Sequence, residues 1–181
     1  LYSVKVCEPG EEITIEQLKD ALAGLARRAR SNRLHVNEPA PGVLTCAAHT
    51  TQCRMFHKIE KISVNRESLA ALRNSFLTLC LDLDSYPASD AEAALLGHSG
   101  NCSNRWFHSS LQLVVFGNGK ACAICNFSTY LDGNTMMRGA AELQKRALAC
   151  AVGNEAKRDF NSLPPATELK WNFGNGIIQR A

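Results

Sequence analysis

A chain of 181 residues with 45% hydrophobic, 20% charged and 7% aromatic residues has the make-up of one globular domain, or two small ones at most. Its formal charge of +3 comes from 20 basic and 17 acidic residues without a like-charged run, which argues against wrapping an acidic polymer, and no nucleic-acid partner is expected. The longest apolar stretches, such as Leu111 to Phe116, fall far short of the roughly 20 residues of a membrane helix, so no membrane span is expected. The chain opens at Leu1 without Met and without a basic-then-apolar leader, which implies a processed product, an excised domain or a fragment.

Leu1 to Val6 alternates as a strand does and is ended by Glu8-Pro9-Gly10. Thr14 with Gln17 is a capping box, and Ile15, Leu18, Leu22, Leu25 and Ala29 continue at helical spacing, predicting a helix over 14–30. Arg27, Arg28, Arg30 and Arg33 gather at its C-terminal end, where a solvated basic face suits the helix dipole. Asn37 to Gly42 reads as a loop. A helix over 51–62 buries Met55, Phe56, Ile59 and Ile62. Asn65 caps another over 66–80, with Leu69, Leu72, Phe76 and Leu79 on one face. Ser89 with Glu92 opens a short Ala-rich helix that ends near Gly97.

A hairpin follows, with strands over 106–116 and 120–127 joined by Gly117-Asn118-Gly119, which supplies the positive-φ turn. Ser110, Gln112, Val114 and Phe116 share one face, and Leu111, Leu113 and Val115 the other. Both faces are largely apolar, which places the pair deep in a sheet covered on two sides. Asp132-Gly133 ends the return strand, and Asn134 or Thr135 caps a helix over 135–150 carrying Met136, Ala140, Leu143 and Ala147. A short strand-like stretch, Glu168 to Phe173, comes after Leu163-Pro164-Pro165. No internal repeat or low-complexity segment is present.

Cys7, Cys46, Cys53, Cys80, Cys102, Cys122, Cys125 and Cys150 mostly sit in apolar runs, where a free thiol behaves as a small hydrophobe. Cys122 and Cys125 spell C-x-x-C, but on a strand residues three apart point to opposite faces, so the two cannot share a metal. No metal site is expected. Reduced, buried core cysteines suit an intracellular compartment.

Asn65-Arg66-Glu67-Ser68-Leu69, Cys80-Leu81-Asp82, Asn104-Arg105-Trp106-Phe107, Ser110-Leu111-Gln112-Leu113-Val114-Val115-Phe116 and Asp132-Gly133 occur in an order and near spacings that resemble the carnitine/choline acyltransferase family. Val43-Leu44-Thr45 and Leu169-Lys170-Trp171-Asn172 are weaker echoes of the same family. The resemblance covers essentially the whole chain. It implies an α/β fold, a central mixed sheet with a long hairpin covered by helices, like one half of the coenzyme A-dependent acyltransferase fold. Residues 1–181 would be a single acyltransferase-like domain, a fragment or a lone half. The family moves acyl groups between coenzyme A and the hydroxyl of carnitine or choline.

Its catalytic motif is Glu-His-Ser, two more residues, an acidic residue and Gly. The His is the general base, and the acidic residue orients its ring. Counting back four from Asp132 lands on Ser128, with Phe127 and Thr129 as neighbours, and no His lies between Ser109 and Ala181. A serine hydroxyl cannot take a proton at pH 7 as imidazole does. His108 stands where the family usually has Asp after Trp-Phe, on the strand expected to pair with the one leading to Ser128, where neighbours are about 5 Å apart. It is the candidate for a relocated base, although no Gly-x-Ser-x-Gly elbow supports a Ser128–His108–Asp132 triad. His98 resembles part of a structural turn of the family; His35, His49 and His57 read as surface or satisfied core residues. Asn104, Arg105, Trp106, Phe107 and Gly133 read as the structural motif steadying the strand and turn.

The expectation is therefore a degenerate acyltransferase half, a pseudoenzyme serving as a structural or partner-binding subunit of a larger assembly. The alternative is a fragment of an active acyltransferase moving an acyl group from coenzyme A, or a carrier thioester, to a small hydroxyl acceptor. No cofactor is expected, coenzyme A thioester being a co-substrate if the protein is active. The expected partners are a second acyltransferase half or other protein subunits, and the expected location is the mitochondrion or cytosol.

Overall fold

The computed structural model describes residues 1–8, 11–12, 14–31, 40–125, 132–149 and 166–173. His35, Ser128 and Cys150 lie outside these residues, as do Phe127 and Thr129. In chain order the elements are β1 (Tyr2–Ser3), β2 (Cys7–Glu8), β3 (Glu11–Glu12), α1 (Ile15–Ser31), α2 (His49–Ile59), α3 (Ser63–Arg73), β4 (Thr78–Asp82), α4 (Asp90–Ser99), β5 (Leu111–Phe116), β6 (Ala121–Cys125), α5 (Gly133–Ala149) and β7 (Thr167–Glu168). Short 3-10 turns occupy Pro41–Cys46 and Cys102–Asn104.

The centre is a mixed sheet in the order β4-β5-β6, with β4 parallel and β6 antiparallel to β5. This is the mixed α/β architecture that the sequence resemblance implied. The β5–β6 turn is built as the glycines require: Gly119 has φ of +82°. Two small sheets, β1 with β7 and β2 with β3, complete the strands.

Two apolar clusters hold the helices to this frame. Leu44, Met55, Ile59, Leu69, Trp106 and Phe173 form one, between α2, α3 and the first 3-10 turn. Cys80, Ala93, Val114 and Phe116 form the other, where α4 lies on the sheet. The contact is close enough that a Cβ on Gly97 would fall 2.0 Å from Cys122 Sγ.

Five expectations need correction. The helix expected over 66–80 stops at Arg73, and Thr78–Asp82 is the strand β4. Thr-Leu-Cys-Leu-Asp satisfies its backbone by parallel pairing with β5, and the buried Cys80 faces the sheet core beside Val114. Asn65 is inside α3 rather than capping it. The first hairpin strand begins at Leu111 because residues 107–110 turn, with Ser109 N–H donating to Trp106 O at 2.9 Å. On β5 only Gln112, Val114 and Phe116 are fully buried; Leu111, Leu113 and Val115 are half-buried, so the sheet is closed on one face and half-open on the other. The cysteines also differ from the buried set expected, since Cys46 and Cys53 are exposed; all six described side chains, from Cys46 to Cys125, are free thiols.

Candidate functional site

The chemistry-bearing residues are hung on the Asn104–His108 segment, which crosses from the second 3-10 turn to β5. Arg105 anchors it. Its guanidinium, 0% exposed, forms a two-point ion pair with Asp82 at the end of β4, at 2.7 Å and 3.1 Å. Arg105 Nε also donates to Gly97 O at 2.7 Å, tying in the last turn of α4. Burial alone would lower the Arg105 pKa, but the hydrogen bonds and charge of Asp82 outweigh it and hold the cation above its ordinary value. Asn104 Nδ2 donates to the same carboxylate at 2.6 Å.

Neighbouring side chains fix the next two backbone N–H groups. Trp106 N–H donates to Gln112 Oε1 at 2.7 Å, within the buried face of β5. Phe107 N–H donates to Thr45 Oγ1 at 3.1 Å, and Thr45 donates in turn to Gly42 O. The segment is thus pinned by side chains rather than by the strand ladder.

His108 points to α2. Its ring is 5.0 Å from that of Phe56, and its Nε2 is 2.9 Å from Gln52 Oε1. Gln52 Nε2 donates to Thr45 O and Ala47 O, so its oxygen is the end that meets His108. The neutral imidazole therefore carries its proton on Nε2 and leaves Nδ1 as acceptor. Burial first, then the Arg73 guanidinium and His49, hold His108 below the usual imidazole range. It lines a cleft of about 390 Å³ with Phe56, Trp106, Cys53 and His49.

Asp132 lies elsewhere. It is exposed and caps α5: Oδ1 accepts from Thr135 N–H at 2.7 Å, and hydrogen bonds from Thr135 hold the carboxyl below its usual value. The cap is thus Asp132, one residue before α5 begins at Gly133, rather than Asn134 or Thr135. Asp132, Gly133, Ala123, Cys125 and Met136 border an open groove between β6 and α5, and no residue of that groove also lines the His108 cleft. The structure brings Asn104, Arg105 and Asp82 together and Trp106, Phe107 and His108 onto one segment; it does not bring His108 beside Asp132. His98 is exposed on the last turn of α4, with its ring edge against Phe107.

Cys122 pairs with Val114 and Cys125 with Leu111, so the C-x-x-C thiols lie on opposite sheet faces. Among the described residues no three His, Cys, Asp or Glu side chains gather as metal ligands, and no helix is long and apolar enough to cross a membrane.

Sequence reasoning missed the polar clamp beneath the segment. Buried Asn65 donates to Ile59 O at 3.1 Å and to Asn172 O at 2.7 Å, while its oxygen accepts from Asn172 N–H at 2.7 Å; Ser68 donates to Lys170 O. The signal was present as two polar residues, Asn65 and Ser68, on the helix face that also carries Leu69 and Leu72. Asp82, too, went unrecognised as the partner of Arg105.

These features define a mixed α/β frame anchored by a buried Arg–Asp pair. The profile of the choline/carnitine O-acyltransferase family matches residues 1–181, so the chain belongs to that family. It is 30% identical over 139 residues to choline O-acetyltransferase of Sus scrofa, covering 74% of this chain and 22% of that protein. It is 32% identical over 98 residues to carnitine O-acetyltransferase of Mus musculus, covering 49% of this chain and 16% of that one. The aligned region is thus a minor share of each relative's length.

Proposed function

We propose that this chain is a degenerate acyltransferase half, retained as a structural or partner-binding unit of a larger assembly. One observation carries the reading: Ser128 stands four residues before Asp132-Gly133, where the family's base belongs, and no His follows Ser109. The loss is selective. The Arg105–Asp82 pair, the Asn65–Asn172 clamp and the hydrogen bonds to Thr45 and Gln112 are all intact. A frame preserved around a missing base is what a scaffold role requires, since a general base contributes about 10²–10⁴-fold to proton-transfer chemistry. Asp132 retains work without that base, because its carboxylate holds the first turn of α5. The natural partners under this reading are a second acyltransferase half or other subunits, in the mitochondrion or cytosol.

The second reading is an active acyltransferase with a relocated base, transferring an acyl group from a coenzyme A or carrier thioester to a small hydroxyl acceptor. A neutral His108 facing a cleft, with Nδ1 available as acceptor, favours it. In that chemistry Nδ1 would take the acceptor's hydroxyl proton as the oxygen attacks the thioester carbonyl, and the thiolate leaving group would take it back.

The distinguishing experiment measures acetyl transfer from acetyl-coenzyme A to carnitine and to choline. The scaffold reading predicts no rate above background for the wild-type chain. Transfer by the wild type that His108→Ala abolishes without unfolding the protein overturns it and makes His108 the base.

A further inference from the structure

Cys46 ends the first 3-10 turn and Cys102 begins the second. The two turns meet backbone to backbone: a Cβ on Gly42 would lie 2.8 Å from Ser103 O and 3.1 Å from Cys102 O. Cys46 Sγ is 4.0 Å from Cys102 O. Cys46 is exposed and Cys102 half-buried, so small reagents can reach the pair. The other described thiols sit apart from it: Cys53 is beside His49, and Cys80, Cys122 and Cys125 are on the sheet.

We propose that Cys46 and Cys102 form a reversible disulfide, a modification site that staples the Pro41–Cys46 turn to the Cys102–Asn104 turn. The reaction uses a low-molecular-weight disulfide as oxidant. One protein thiol loses its proton to solvent and attacks a sulfur of the oxidant, forming a mixed disulfide and releasing one small thiolate. The second protein thiol, likewise deprotonated, displaces the remaining small thiolate and forms the Cys46–Cys102 bond. Two protein S–H bonds and the oxidant's S–S bond break. One protein S–S bond forms, two electrons pass to the oxidant, and the two small thiolates take up the two protons.

The closure is short. Cysteines on turns already in contact need only a small shift of two turn ends to reach disulfide geometry. Burial, and next its contact with Cys102, push the Cys46 thiol up to about 11. The bond closes a loop between positions 56 residues apart, which constrains the unfolded chain. It also fastens the turn that carries Leu44 into the core and Thr45 to Phe107 N–H. Oxidation thereby stiffens the support of the Asn104–His108 segment, whichever activity that segment serves.

The test incubates the folded full chain with oxidised glutathione, quenches by acid and alkylation, and maps peptides without reduction. The expected result is a linked Cys46–Cys102 peptide pair, a chain lighter by two hydrogens, and recovery of both thiols with dithiothreitol. The oxidised protein melts roughly 5 °C or more above the reduced one. Cys102→Ser treated alike gives no linked pair and no such rise. Recovery of Cys46 and Cys102 as free thiols, each as its own glutathione adduct, or either one joined to another cysteine overturns the proposal. The wild-type peptide map decides this without any variant.

Discussion

At the scale of single residues the strongest constraint is the buried Arg105–Asp82 pair, whose side chains are 0% and 9% exposed. Removing one partner strands a charge in the interior, which costs about 3–5 kcal/mol. Asp82→Ala is therefore expected to lower the urea midpoint sharply. Arg105→Lys should recover only part of the stability, because an ammonium cannot hold both carboxylate oxygens and Gly97 O in one plane. Equal stability of Asp82→Ala and wild type would remove Arg105 as the anchor. His108 gives a second expectation, with a sign fixed by its lowered folded-state pKa. Its neutral form is favoured in the folded state, so its contribution is present above the unfolded value of about 6.5. That contribution is lost as pH falls from there through the folded value. The urea midpoint of the wild type, measured between pH 7.5 and 5.5, should fall more steeply than that of His108→Gln. Parallel profiles would mean that the folded state does not hold the ring in a buried, neutral form.

At the scale of elements, close backbone contacts separate glycines that cannot change from those that can. A Cβ on Gly42 would lie 2.2 Å from Arg105 O, a backbone atom with no rotamer to move, whereas one on Gly24 in α1 meets nothing within 4 Å. Gly42→Ala should lower the thermal midpoint markedly. Gly24→Ala should raise it, Ala being favoured in a helix interior by about 0.5–1 kcal/mol. Ser89→Ala should cost about 1 kcal/mol, since Ser89 Oγ accepts the Glu92 N–H that opens α4. Caps of this kind were legible in the sequence. The Thr14–Gln17 box is reciprocal, with hydrogen bonds of 2.9 Å and 3.2 Å, and the Gly117–Gly119 turn falls where the glycines place it. The boundary between α3 and β4 was not legible, because Leu69, Leu72, Phe76 and Leu79 keep helical spacing across it. Only the parallel partner β5, more than thirty residues on, makes Thr78–Asp82 a strand. The start of β5 failed for the same reason, its upstream N–H groups being taken by Gln112 and Thr45 side chains. The words of the site could be read locally, but the contacts joining Asp82 to Arg105 and Asn65 to Asn172 are long-range.

At the scale of the whole molecule, the chain belongs to the choline/carnitine O-acyltransferase family, and the proposed function rests on reading Ser128 as the place of the base. Orientation of two substrates demands walls on all sides. The aligned region covers only 22% of the porcine choline O-acetyltransferase relative. Ser128→His within these 181 residues alone is accordingly expected to leave acetyl transfer at background. The decisive measurement is acetyl transfer from acetyl-coenzyme A to carnitine and choline by the longest natural form of the protein, wild type beside Ser128→His. A lost base predicts background activity for the wild type and a gain on the order of 10²-fold or more for the variant, since the proposed reading has Asp132 orient the new ring. A wild type that transfers acetyl groups efficiently, and that gains nothing from the histidine, would contradict it.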